Sequence, residues 1–545
     1  MINLNFFHKL NHTGEMLIDI LQKKFNEDFF SRVISIEGTP FLHIKFYDKE
    51  STIKRVMNPP QPIKNCCNPE IVAAILELNN IVFENKDYET IIKSYDILIF
   101  DMSVISVRQL IISDFKSPDK YIRESECPKA VELGKKAVYL LGLDYAMITV
   151  AVTGKRKFKV LNIDPSPVIR KKDLNSLVSK LESLYYHSPS QEFRPVKLGA
   201  DPEFMLFNSK SGKMVAASEF FPRDGIVGCD SLRIPNRQQR PVAEIRPNPE
   251  LSPHILIDNI RHALKTANKM APYRKVKWVA GSHPTGNYSI GGHIHFSNID
   301  LNYSLLKALD NYVGIPVFLI ENPISAARRR KKYGLLADFR VKDYGGFEYR
   351  TPGSWLVSPQ LALAILCLAK IVATHHMELT ENYLDNYEAQ SAFYQGNQNF
   401  FRPIFEHLWS NISSTETYLQ YNKELKIIYY MVINSIIWDE NNDFREVWKI
   451  SASTKRHYKT TQYTSENIHE MPRRSGSSIQ NRDIIADLQS TNTPVNTSTE
   501  NRHNIEGSVR NSLSSSRSTA GHMNQRNEVS QREIISNYTR STRIL

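Results

Sequence analysis

The sequence predicts an α+β protein in three zones, and three observations carry that prediction. Residues 1–190 mix short apolar strands with helical stretches. Residues 195–445 alternate strands and helices, and they hold nearly every chemically capable motif. From about Thr454 the chain is rich in Ser, Thr, Asn and Arg, with few clustered apolar residues. Such a composition cannot bury enough surface to offset chain entropy, so residues 454–545 are expected to form a disordered basic tail.

At 545 residues the chain is too long for one core. Its 41% hydrophobic and 23% charged residues are those of an ordinary globular protein. The net charge of +12 favours anionic partners, either nucleotide phosphates or nucleic acid, and suggests an anionic partner for the tail. The five cysteines (Cys66, Cys67, Cys127, Cys229 and Cys367) are odd in number and lack CxxC spacing. They read as reduced thiols of a cytoplasmic protein, with neither a disulfide framework nor a structural zinc site. The first residues lack an apolar signal core. The longest apolar run, Leu361 to Thr374, contains Lys370 and is too short for a bilayer, so it reads as a buried helix and no membrane role is expected.

In chain order, Ser31–Glu37 and Phe41–Tyr47 read as strands, and Asn68–Phe83 as a helix. Pro128–Gly142 spaces Val131, Ala137, Val138 and Leu141 as a helix does. Strands at Tyr145–Val152 and Lys157–Ile163 flank a turn at Thr153–Gly154–Lys155. A charged helix, Lys171–Tyr186, then leads into a polar linker.

Four short segments of the second zone share one signature: LGADPEFMLF, PVAEIRP, GGHIHF and GFEYRTP. Each reads as a strand with two chemically capable side chains at i and i+2, which a strand turns to one face. The pairs are Asp201 with Glu203, Glu244 with Arg246, His293 with His295, and Glu348 with Arg350. One such segment is ordinary for a solvated sheet face. Four within about 150 residues, all built from carboxylate, imidazole or guanidinium, describe a metal-and-phosphate site. Carboxylates give the hard oxygens that Mg²⁺ takes alongside substrate phosphates, and guanidiniums give forks for phosphate or carboxylate. Pro202 sits awkwardly within its strand and marks an edge or a strand start. Asp224–Gly225 and Gly228 read as turns before Asp230, either a plain hairpin loop or a substrate contact. Five consecutive basic residues, Arg328 to Lys332, and then Arg340 precede the Glu348 strand. They read as a solvated face, a nucleic-acid or nuclear-targeting patch, or a phosphate-neutralising loop.

GADPEF, DG and GCD, AEIRPNP, GGHIHF, and a basic segment followed by FEYRTP together resemble the phage-type carboxylate–amine ligases. These are amidoligases of the glutamate–cysteine ligase and glutamine synthetase superfamily. The resemblance covers about 195–360 and extends through the helical stretch to about 445. It implies an antiparallel, funnel-like sheet with helices, holding ATP and two or three Mg²⁺ or Mn²⁺ ions. It implies metal binding by Asp201, Glu203, Glu244 and Glu348, with Asp201 a shorter reach than the family's Glu. His293, with His295, matches the histidine near the nucleotide phosphates, and Arg350 the adjacent phosphate-binding arginine. Arg246, Arg330 and Arg340 are further candidates for the nucleotide. Glu203, His293 and Arg350 are the expected catalytic groups. The substrates it implies are a carboxylate and an amine, from a peptide, an amino acid or a protein terminus.

GLDYAMITVAVTGKRKFKVLNIDPSP resembles the closing strands of an ATP-grasp domain, with acid and amide exchanged at Asn162–Ile163–Asp164–Pro165. That exchange leaves nucleotide binding by residues 1–190 open. Two other readings compete for the whole chain. One is a metal-dependent hydrolase built on the His-x-His pair. The other is a nonenzymatic basic protein that binds nucleic acid or joins a virion, although no recognition motif supports it.

Overall fold

Leu4 and Phe6 are buried while Asn3 and Asn5 are partly exposed, and this alternation lays down the first strand of the chain. The computed structural model describes residues 1–25, 28–83, 90–110, 119–186, 194–271, 275–284 and 287–450. The tail and most of the polar stretch before residue 195 lie outside them. All the described residues fall within one compact unit.

Strands β1 (Asn3–Lys9), β2 (Phe29–Ile36), β3 (Thr39–Phe46) and β4 (Lys54–Met57) form a sheet in the order β2-β3-β1-β4. Helices His12–Phe25 and Lys171–Tyr186 bury Leu17, Leu21, Leu174, Leu177 and Leu181 in the core that this sheet shares. An antiparallel sheet follows, built from β5 (Ile91–Phe100), β6 (Ser103–Leu110), β7 (Lys120–Ile122), β8 (Tyr145–Thr153) and β9 (Phe158–Asp164). Its order is β7-β6-β5-β8-β9, and helix Pro128–Leu140 packs against it. The strands and helices expected in this zone are present within a few residues of their expected ends. Helix Pro69–Leu78 is the exception. Asn68 caps its start, accepting from the Glu70 N–H, and it ends well before Phe83.

The second zone is antiparallel throughout and divided into two sheets. Its strands are β10 (Lys197–Ala200), β11 (Glu203–Asn208), β12 (Met214–Val215), β13 (Val227–Cys229), β14 (Val242–Ile245), β15 (Val276–Val279), β16 (Ile294–Ser297), β17 (Phe339–Val341) and β18 (Phe347–Tyr349). One sheet runs β10-β16-β18-β17. The other runs β12-β11-β14-β13, with β15 also paired to β11.

The expected single strand LGADPEFMLF is therefore two strands in different sheets. Pro202 has no N–H to give to a ladder, and the chain turns at Asp201–Pro202. Beyond the turn the Glu203 N–H bonds Gly291 O at 2.9 Å, and Pro202 O accepts from Ile245 N at 3.3 Å. Pro202 thus marks a strand start.

Helix Pro359–Thr374 is buried almost all round, as the apolar run requires. Lys370 fits inside because its ammonium donates to Val196 O just before β10. Helix Tyr418–Ile433 packs on it from one side and helix Pro253–Met270 from another. Beneath the sheets Asp310 is fully buried at the start of a π-helical turn, Asp310–Gly314. It accepts from Tyr139 OH and Tyr349 OH at 2.7 Å each, and from Ala337 N at 2.8 Å. One carboxyl thus ties helix Pro128–Leu140 to β18.

Candidate active site

Antiparallel register puts Glu203 of β11 directly opposite Glu244 of β14, and His295 of β16 directly opposite Glu348 of β18. The i, i+2 partners sit at the strand ends. Asp201 precedes β11 and His293 precedes β16, while Arg246 follows β14 and Arg350 follows β18. The two sheets meet at the Asp201–Pro202 corner, so all four pairs converge there.

Asp201 Oδ1 lies 3.0 Å from both His293 Nδ1 and His295 Nε2. Glu348 Oε1 lies 3.1 Å from His293 Nδ1 and 3.0 Å from Arg350 Nε. Its Oε2 meets Lys342 Nζ at 2.5 Å and Arg340 Nη1 at 3.4 Å. Glu203 accepts from Gly291 N at 2.7 Å and from Tyr333 OH at 3.2 Å. Glu244 is held by Arg246. Gly291 has to be glycine, because a β-carbon there would overlap the His293 ring.

The electrostatics follow from crowding acids where water is scarce. Burial, with Asp230 and Asp201 nearby, pushes the Glu203 carboxyl up to about 7. Burial and the charge of Asp201 push Glu244 up to about 8. For Asp201 burial acts the same way, but the two histidines outweigh it and hold the group well below the usual carboxylate range. Burial would depress His293, but Asp201, Glu203 and Glu348 outweigh it and raise the imidazole to about 9.

This donor set fits a divalent cation. One ligand atom each from Asp201, His295 and Glu348 lies within 4.8 Å of the others. His295 Nε2 and Glu348 Oε1 are buried and meet their neighbours as ion pairs without an aligned hydrogen bond among the described residues, which leaves their lone pairs available to a shared cation. The facing Glu203 and Glu244 add hard oxygens beside them.

Above these groups opens a cavity of about 720 Å³. Asp201, Glu244 and His295 line it, with cations from Lys197, Arg223, Arg246, Arg340 and Lys342. Asp224, Asp230 and Tyr344 complete the rim. Glu203, His293, Glu348 and Arg350 lie behind this lining. Arg330 is not part of it, which corrects the expectation that it faces the nucleotide. Its guanidinium is buried between Phe318 and Phe393 and paired with Glu321 at 2.5 Å. Of the basic run, Arg328, Lys331 and Lys332 are exposed, whereas Arg329 turns inward and bonds Thr351 O and Arg350 O.

Sequence reasoning missed Lys197, Arg223, Lys342 and Tyr333. Lys342 carried a signal, since Arg340 and Lys342 repeat the i, i+2 pattern around the end of β17.

Residues 198–450 match the family described as phage phiEco32-like COOH.NH2 ligase-type 2. Over these residues the chain is similar to the COOH–NH2 ligases. The match takes in the two sheets and the helices that follow them. No curated relative matches the chain. Among solved structures it is similar to the ATP-grasp ligase PsnB complexed with minimal precursor. Identity there is 14% and the TM-score 0.21, covering 24% of this chain and 65% of that one. It is also similar to the macrocyclase MdnB from Microcystis aeruginosa MRC, at 9% identity and a TM-score of 0.22, over 33% of this chain and 95% of that one. The chain thus spans just under two thirds of the PsnB chain. No helix among the described residues is long and apolar enough to cross a membrane.

Proposed function

We propose that the chain is an ATP- and divalent-metal-dependent ligase that joins a carboxylate to an amine through an acyl phosphate. The observation that carries this reading is the buried Glu203–Glu244 pair beside Asp201, His295 and Glu348, at the base of a cavity rimmed with cations. A free carboxylate repels an amine and has no competent leaving group. Phosphorylating it supplies one: the γ-phosphoryl group of ATP passes to the carboxylate oxygen, the amine attacks the acyl carbon, and phosphate departs.

The chain's own residues divide the work. Lys197, Arg246, Arg340 and Lys342 neutralise the phosphates from the cavity wall. Asp201, Glu203, Glu244, His295 and Glu348 would hold Mg²⁺ or Mn²⁺, which supplies charge neutralisation between phosphate oxygens. His293 and Arg350, set behind the wall, fix Asp201 and Glu348 in place. Asp230 lines the cavity outside the metal set and takes the proton that the amine loses. The substrates are a carboxylate and an amine presented by a peptide, an amino acid or a protein terminus.

Calorimetry with ATP and Mg²⁺ on the full chain tests this, comparing wild type with a Glu203→Ala, Glu348→Ala double variant. Metal-dependent ATP binding that disappears in the variant supports the reading. ATP-dependent amide formation that survives both substitutions would sink it.

A further inference from the structure

We infer that Tyr333 is a positioning residue of the ligase site, one hydroxyl that locks a metal-facing carboxylate, the buried imidazole and the inner arginine into a single arrangement. The inference rests on the proposed function for its metal, but not for its geometry. Tyr333 follows the basic run after helix Pro323–Arg329, on neither of the sheets that carry the acidic groups. Its OH nevertheless lies 2.6 Å from His293 Nε2, 3.2 Å from Glu203 Oε1 and 3.2 Å from Arg350 Nη2. These three partners come from the start of β11, the residue before β16 and the residue after β18.

The hydrogen count makes the contact selective. A phenol has one hydrogen to give and two lone pairs to fill. The Arg350 guanidinium can only donate, so it occupies one lone pair. His293 Nδ1 sits between the oxygens of Asp201 and Glu348 and therefore carries a hydrogen towards them. The second ring nitrogen, Nε2, is left facing Tyr333 alone. The phenol thus links the orientation of the imidazole to that of Glu203, whose other oxygen is already fixed by Gly291 N.

The ring itself has little freedom. Arg329 and Arg350 lie over it with guanidinium carbons 4.9 and 5.0 Å from its centre. A β-carbon at Gly334, where φ is +68°, would run into Arg329, so the turn that delivers Tyr333 depends on that glycine. Partners that orient ligand side chains without touching the ion commonly tune metal affinity by 10–100-fold.

Tyr333→Phe removes the hydroxyl and keeps the ring between its arginines. On the metal-free full chain, the imidazole ¹⁵N resonances of His293 are read in wild type and variant, assigned by their loss in His293→Gln. A shift of the Nε2 resonance in Tyr333→Phe, with an unchanged melting temperature, is the expected result. Superimposable spectra overturn the inference. Mn²⁺ titration of the same samples is expected to show affinity at least tenfold weaker in the variant, and equal affinities would also overturn it. A folded wild type that takes up no Mn²⁺ would remove the proposed function, while the resonance would still decide the role of Tyr333. If Tyr333→Phe does not fold, 3-fluorotyrosine at position 333 serves instead. It keeps the packing and perturbs only the phenol, and a His293 resonance that ignores it overturns the inference.

Discussion

Glu203 and Glu244 face each other across adjacent antiparallel strands, both almost fully buried, with no basic residue in register between them. Like charges directly opposite on a sheet destabilise it. On the proposed function, the pair holds that charge in reserve for a cation. Glu203→Gln therefore makes the metal-free protein more stable at pH 8, by about 1–3 kcal/mol, because it removes a buried charge without removing shape. The same variant loses Mn²⁺- and Mg²⁺-dependent ATP binding. Thermal unfolding in a chelator and then in Mn²⁺ checks both: the metal-induced rise in melting temperature seen in wild type is absent in the variant.

Arg330 and Arg340 entered as equals from the sequence, and the structure separates them. Arg330→Ala leaves Glu321 buried and unpaired, which is expected to cost about 3–5 kcal/mol of stability. Arg340→Ala removes a half-exposed side chain that lines the cavity. Its stability changes by less than about 1 kcal/mol, while its apparent KM for ATP rises. Urea titration and steady-state kinetics on the two variants should give opposite patterns.

Gly291→Ala adds one methyl group where the His293 ring already stands. The ring has to rotate, and it takes Asp201 and Tyr333 contacts with it. The variant is expected to fold with a loss of about 1–3 kcal/mol, typical of overpacking, and to lose metal-dependent nucleotide binding. Retention of full ATP affinity in folded Gly291→Ala would contradict the geometry described above.

His8 gives a pH dependence far from the site. It is fully buried; Nδ1 contacts Lys9 O at 2.9 Å, and Nε2 has no hydrogen-bond partner among the described residues. Burial lowers its imidazole to about 4, against an ordinary value of 6.5. Between those values the unfolded chain binds the proton and the folded chain does not, so stability falls as pH drops from about 6.5 towards 4. This one group accounts for about 3 kcal/mol at most. Urea midpoints across that window should show a shallower slope in His8→Leu than in wild type.

The i, i+2 pairing was legible because strand geometry alone decides which side chains share a face. It identified Asp201, Glu203, Glu244, His293, His295 and Glu348, which the fold brings to one corner. The break at Pro202 was visible as an oddity, but its meaning was not, because the second sheet that Glu203 joins is set by pairing with β14 and β15 far along the chain. The basic run hid its own division of labour. Five like residues carry no sign of which turn inward, and only the packing of Phe318 and Phe393 around Arg330 settles it. Tyr333 went unmarked as a site residue because its partners lie 17, 40 and 130 positions away. The central strand β5 went unmarked, since it passes from a mixed pattern into the continuous apolar run ILIF, where alternation ceases to be a guide.

The corner at Asp201–Pro202 has a mechanical consequence. Asp201 consorts with His293 and His295 at the sheet of β16 and β18, whereas Glu203, two residues on, faces Glu244 in the sheet of β14. On the proposed function, a cation shared by these acids would act as a rivet through the two plates. Loading the site would then stiffen the domain as well as arm it. Amide hydrogens of β11, β14, β16 and β18 are expected to slow their exchange together when metal and nucleotide bind, including positions that touch neither, which hydrogen–deuterium exchange would show.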